Sequence, residues 1–183
     1  LEQKAEARSA QMRFNREVSD HLALWEAYRQ WQIKRAEGGK AASRSFANKH
    51  FLFEKTLEAM SDTANQLWQN LADVGLLPNL NHMAPEQRER ARAIVNKNSG
   101  SPMVVKAILA AGLFPNVLRA VEGKSKPALY QHKLTVSISS SSLNEKAPRF
   151  DTHFLVYHEK VKTHQIVVHD CTAVTALDIM LFG

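Results

Sequence analysis

Apolar residues recur at helical spacing through the first two-thirds of the chain and at a spacing of two through the last third. Leu22, Trp25, Tyr28 and Trp31 follow Ser19 and Asp20, which offer a helix N-cap, and Gly38 and Gly39 end that helix. Ser43 opens a short second helix through Phe46 toward Phe51, and Thr56 caps a third. The third carries the cleanest stripe: Leu57, Met60, Ala64, Leu67, Leu71 and Val74, stopped by Gly75. Such spacing predicts one buried face. The polar stretch 78–102 predicts an exposed helix near Pro85 to Asn96. Ser101-Pro102, a cap followed by proline at the first helical position, starts a buried helix through Val105, Ile108 and Leu109, closed by Gly112.

From about Leu129 the pattern changes. LTVSISSSSL (Leu134 to Leu143) alternates apolar and polar residues as a half-buried strand does. HFLVYHEKV and HQIVVHDCT predict a hairpin with its tip near Lys162 to His164. Its ends are apolar, and its middle gathers His158, Lys160, Lys162, Thr163 and His164 around a single acid, Glu159. Ala176 to Phe182 is apolar and reads equally as helix or strand. Helices followed by strands predict an α+β chain with two sub-domains.

Composition narrows the function. The 183 residues are 44% hydrophobic, enough for a core. No apolar run approaches the roughly 20 residues of a membrane span. The polar N-terminus is not a secretory signal, and Leu1, not Met, suggests a fragment or a processed chain. The lone Cys171 excludes an internal disulfide and a cysteine-rich zinc site, suits a reducing compartment, and reads as a small buried residue. The net charge of +6 favours a polyanionic partner. Between Lys124 and His164, seven lysines and arginines face three acids. Such a patch binds phosphates in a sequence-tolerant, salt-sensitive way. No phosphate-binding loop, dinucleotide fingerprint, HExxH or nucleophile elbow is present. His158, His164 and His169 lack the clustered carboxylates or cysteines of a metal site and read as surface or ligand-contacting groups. The serine run Ser139 to Ser142 is open to two readings, a flexible turn or a set of phosphate donors. The Trp25, Tyr28, Trp31 stripe reads as core.

Four segments together resemble the C-terminal accessory region of DEAH/RHA-type RNA helicases. They are SDHLALWEAYRQW (Ser19 to Trp31), NKHFLFEKTLEAMSDTANQL (Asn48 to Leu67), VVKAILAAGLFPNVLRA (Val104 to Ala120) and LVYHEKVKTHQIVVHDCTAVTALDIMLFG (Leu155 to Gly183). They cover nearly the whole chain in the family's order. The Glu37-Gly38-Gly39 turn and the KVKT tip resemble the branch with large cytoplasmic members. Two departures stand out. The family's HPSSVN turn aligns with Ser139 to Asn144, where the His-Pro is missing and the turn loses rigidity. The family also continues past Gly183 with further β structure.

The resemblance implies a ratchet-like helical domain over 1–122 and a small OB-type β-barrel over 123–183, the barrel expected to be incomplete at Gly183. The alternative to an incomplete barrel is a chain that continues past Gly183. The resemblance implies an ATP-dependent RNA helicase as the parent, with ATP and Mg used by motor domains absent from this chain, and no cofactor, metal or catalytic residue here. Single-stranded RNA would meet Lys160, Lys162, Thr163 and His164, with Ser141 and Ser142 as nearby hydroxyl donors. The other partners implied are the motor domains of the same polypeptide and, in an alternative reading, a ribosome or activator protein docked on a non-enzymatic module; no membrane is implied. A free-standing RNA-binding protein is a third reading. The location implied is cytoplasmic, with nucleus and mitochondrion open.

Overall fold

The computed structural model describes residues 2–15, 17–123, 126–162 and 164–182. Two compact units emerge, one of residues 1–30 with 102–183, the other of residues 31–101.

The first unit is built on a closed five-stranded barrel. Its strands are β1 (Val117–Val121), β2 (Ala128–Gln131), β3 (Leu134–Ile138), β4 (Phe154–Lys162) and β5 (Ile166–Val174), in the order β1-β2-β3-β5-β4. All neighbours are antiparallel except β3 and β5, which run parallel with Val136 opposite Ile166 and Ile138 opposite Val168. Pairing of β1 with β4, Val117 with Val156 and Arg119 with Phe154, closes the ring of five strands, so the reading of an incomplete barrel does not hold. The first strand also lies on the helical side of the boundary expected at 122/123. VLRAV follows a helix directly and is too short and too mixed to announce itself, and β2 is equally hidden in the sequence.

Period-two alternation sorts the strand side chains. Leu118, Leu129, Val136, Leu155, Tyr157, Val168 and Cys171 fill the barrel. Val117, Phe154, Val156 and Val174 point outward and are covered by α5 (Pro102–Leu113) and α6 (Ala176–Phe182) through Ala110, Leu113 and Ile179. The open segment at the C-terminus is therefore helix. Thr175 and Asp178 cap it reciprocally: Asp178 N–H donates to Thr175 Oγ1 at 3.2 Å, and Thr175 N–H donates to Asp178 Oδ2 at 2.8 Å. Helix α5 buries Ala110, while Ile108 is 66% exposed, contrary to the buried role expected of it.

Two helices complete the picture at the N-terminus: α1 (Glu2–Met12), which has no apolar stripe to announce it, and α2 (Asp20–Lys49). The predicted break at Gly38-Gly39 is a kink inside α2. Gly39 sits at φ 65°, ψ −158°, a conformation essentially reserved for glycine, and a Cβ on Gly38 would meet Ala42 Cβ at 2.7 Å. The helix resumes before Ser43, which is buried and donates to Lys40 O rather than capping.

In the second unit, α3 (Glu54–Asp73) starts from Phe53, three residues ahead of the expected cap Thr56, with no side-chain cap. Gly75, at φ 77°, closes α3: Leu76 N–H donates to Leu71 O and Gly75 N–H to Ala72 O, the paired bonds of a Schellman end. The α3 stripe does not form a buried face. Leu57 is buried, but Leu67, Leu71 and Val74 are 56%, 42% and 70% exposed. Regular spacing identifies a face without saying what covers it. The exposed α4 (Pro85–Val95) lies where the sequence predicts it and buries no residue.

These exposures order the expected costs. Leu118→Ala, inside the barrel, should lower stability by about 2–5 kcal/mol. Leu67→Ala should change it by no more than about 0.5 kcal/mol. Denaturant midpoints of the two variants check this.

Candidate nucleic-acid interface

Strand β4 changes character at Tyr157. Leu155, Val156 and Tyr157 are buried on both faces of the sheet, whereas residues 158–162 are all exposed. The pairing with β5 nevertheless continues to Lys162 opposite Ile166, so these exposed residues are held on a paired strand. Lys160, Lys162 and His164 are exposed; Thr163 lies outside the described residues.

A second hairpin shares this end of the barrel. β2 and β3 pair Gln131 with Leu134 across the two-residue turn His132-Lys133, with His132 at φ 54°. Because β3 runs parallel to β5, Leu134 falls level with the β4–β5 tip. A hydrogen bond joins the two hairpins: Lys160 Nζ donates to Gln131 Oε1 at 2.8 Å. Gln131 Nε2 in turn donates to Tyr157 Oη at 2.7 Å. Lys133, Lys160 and Lys162 are exposed at this end of the barrel, as are Glu159 and the apolar Leu134 and Val161. Sequence reasoning counts Lys133 in the basic patch without placing it beside the hairpin, and misses Gln131, His132 and Leu134. Only their proximity in the parallel β3–β5 register reveals them.

Ser141 and Ser142 do not join this cluster. The serine run forms the turn after β3, beside the middle of β5, on the order of 20 Å along the strand from the tip. Ser141 Oγ pairs with Ser139 Oγ at 2.9 Å. Ser142 is 2% exposed, and its hydroxyl donates to Asp20 Oδ2 at 2.5 Å. Its hydroxyl is engaged inside the fold and is not offered to a phosphate. Asp20 also accepts Leu143 N–H and Cys171 N–H, each at 2.8 Å. Asn144 completes the turn by donating to Cys171 O at 3.0 Å while accepting from Asn15 Nδ2 at 3.0 Å. Arg8 of α1 donates to Ser140 O and Ser142 O. The helix cap is Ser19, whose Oγ accepts Leu22 N–H at 3.0 Å and pairs with Thr172 Oγ1 at 2.7 Å. The adjacent candidates for one role, Ser19 and Asp20, thus divide two between them.

His21 Nδ1 lies 2.7 Å from the same Thr172 hydroxyl. Burial lowers its pKa, Asp170 and Asp20 partly offset this, and His158 adds to the lowering. Burial likewise pushes the Cys171 thiol up, with Asp20 and Asp170 adding to it, so this cysteine is a packed, unreactive residue. A cleft of about 290 Å3 opens elsewhere on the barrel, between β2, β3 and the loop carrying Asn144, Ala147 and Phe150, and includes none of the hairpin cations. Among the described residues, no group of three or more His, Cys, Asp or Glu is placed to hold a metal, and no helix is long and apolar enough to cross a membrane.

A closed five-stranded barrel with parallel β3 and β5 and a helical flank defines an oligonucleotide/oligosaccharide-binding (OB) fold, and residues 105–183 match the family of that description. The chain resembles the C-terminal accessory region of DEAH/RHA-type RNA helicases, with the family match confined to its barrel half. It is 30% identical over its whole length to the human putative ATP-dependent RNA helicase DHX57, covering 15% of that protein. It is 31% identical, again over its whole length, to the Arabidopsis thaliana DExH-box ATP-dependent RNA helicase DExH1, covering 17%. It is 29% identical over 90% of its length to the Bos taurus ATP-dependent DNA/RNA helicase DHX36, covering 16%. The chain therefore spans about a sixth of the length of these relatives.

Two outcomes test the buried network. Asp20→Ala leaves one hydroxyl and two backbone N–H groups without their acceptor, each worth about 1–3 kcal/mol when buried, so a loss of about 3 kcal/mol or more is expected by chemical denaturation. For His21, a folded-state pKa below the ordinary 6.5 means its contribution is fully present above that value and is lost as pH falls through the folded pKa. The midpoint should drop between pH 7 and pH 5, and His21→Gln, which keeps a partner for Thr172, should flatten that drop.

Proposed function

We propose that this chain is the accessory C-terminal region of a DEAH/RHA-type ATP-dependent RNA helicase, and that its barrel end guides single-stranded RNA by binding its phosphates. The observation that carries this reading is the paired, fully exposed ribbon from His158 to Lys162, with Lys160 and Lys162 on it and Lys133 alongside. Barrel loops and hairpins of OB folds serve single strands in this way, with cations tracking the backbone. The residues proposed to touch RNA are Lys160, Lys162, Thr163 and His164, together with Lys133; buried Ser142 is assigned to the fold, and exposed Ser141, paired with Ser139, lies away from this end. ATP and Mg would serve motor domains outside this chain, which carries no phosphate-binding loop. The cytoplasm is the compartment proposed; a buried free cysteine is in keeping with reducing surroundings.

A second role is favoured by the α3 face. Exposed Leu67, Leu71, Val74 and Leu76 are more apolar surface than one solvated helix end requires, and suit protein docking: the motor domains first, a ribosome or activator protein as the alternative.

The RNA role is tested on the double variant Lys160→Ala, Lys162→Ala. It should bind all single strands more weakly, and the plot of log affinity against log salt should flatten by roughly 0.7 for each phosphate no longer neutralised. Fluorescence anisotropy at several salt concentrations reads both; an unchanged affinity and slope with the fold intact would remove the hairpin from the interface.

A further inference from the structure

Lysine on an exposed hairpin ordinarily samples many rotamers, and a phosphate must arrest them on binding. Lys160 is different. Its ammonium is held by Gln131 Oε1, and Gln131 is held by the hydroxyl of Tyr157, which is 1% exposed inside the barrel. A three-residue chain thus runs from the core to the exposed cation. Chemistry settles the orientation of its middle member. An ammonium only donates, so the amide oxygen must face Lys160, and the amide NH2 must then face Tyr157, which accepts.

We propose that Gln131 is a positioning residue for Lys160, presetting its ammonium toward a phosphate of a bound single strand. The proposal rests on the RNA-guiding role above and adds a residue to it. A neutral acceptor suits the task. It occupies one of the three ammonium protons and leaves the full positive charge for the ligand. A carboxylate at the same place would hold Lys160 more firmly but cancel that charge. Gln131 acts through Lys160 and does not itself touch the strand, so its effect must vanish when Lys160 is absent.

The experiment is a double-mutant cycle on the full chain, read by fluorescence anisotropy with a labelled oligouridine at several salt concentrations. Gln131→Ala should weaken binding roughly threefold to tenfold, the scale of ordering one long side chain, with the salt slope unchanged because no charge is lost. In the Lys160→Ala background the same substitution should have no further effect. Gln131→Glu should lower the salt slope toward that of Lys160→Ala. Tyr157→Phe, which frees the inner end of the chain, should weaken binding in the same direction as Gln131→Ala; circular dichroism confirms that each variant is folded. An equal loss from Gln131→Ala in both backgrounds, or no loss beside an intact Lys160, overturns the positioning role and leaves the RNA-guiding role standing. Lys160→Ala binding as tightly as the parent chain overturns both.

Discussion

The carboxylate of Asp20 is the constraint on which the barrel's surroundings depend. It is 4% exposed and accepts three hydrogen bonds, from Ser142, Leu143 and Cys171, residues more than a hundred positions away in the chain. A buried charge is tolerable only when so satisfied. The need arises from topology. Strand β3 leaves β5 after Ile138 pairs with Val168, and beyond it the edge of β5 away from β4 would stand unpaired. Asp20 takes Cys171 N–H, Asn144 takes Cys171 O, and Val18 O takes Ala173 N–H. The N-terminal segment is therefore part of the barrel unit in energetic terms, which is why residues 1–30 cluster with residues 102–183 even though the matched family segment begins at 105.

That anchorage separates two ends of β5 with different duties. At the end near Cys171, polar groups turn inward and are consumed by the fold. At the end near Ile166, the strand pairs with a β4 whose residues 158–162 bury nothing. Cations there cost little to expose and retain their charge for a ligand. One strand pair thus joins a rigid, internally satisfied base to an open cationic edge.

Much of this is legible in the residues. The period-two pattern locates β3, β4 and β5, and the helix signals locate α4, α5 and the start of α2 to within a few positions, while the glycine pair marks a kink and not the end of α2. Lys160 and Lys162 stand out because polar residues replace apolar ones in mid-strand. The misreadings have physical causes. Ser142 resembles a surface donor in sequence, and only the fold brings Asp20 to it. Leu67 and Leu71 keep helical spacing, which marks a face for burial by something without naming the partner. Gln131 and Lys133 lie thirty residues from the hairpin they adjoin, and the parallel β3–β5 pairing that unites them leaves no local mark on the sequence.

The central claim is that single-stranded RNA crosses the end of the barrel formed by the two hairpins. Photo-crosslinking of a thiouridine-containing single strand to the full chain, with adducts located by mass spectrometry, tests it most directly. The account predicts adducts concentrated on residues 131–134 and 158–165, lost at high salt. Adducts confined to the serine turn or to residues 31–101, with the two hairpins unmarked, would contradict it.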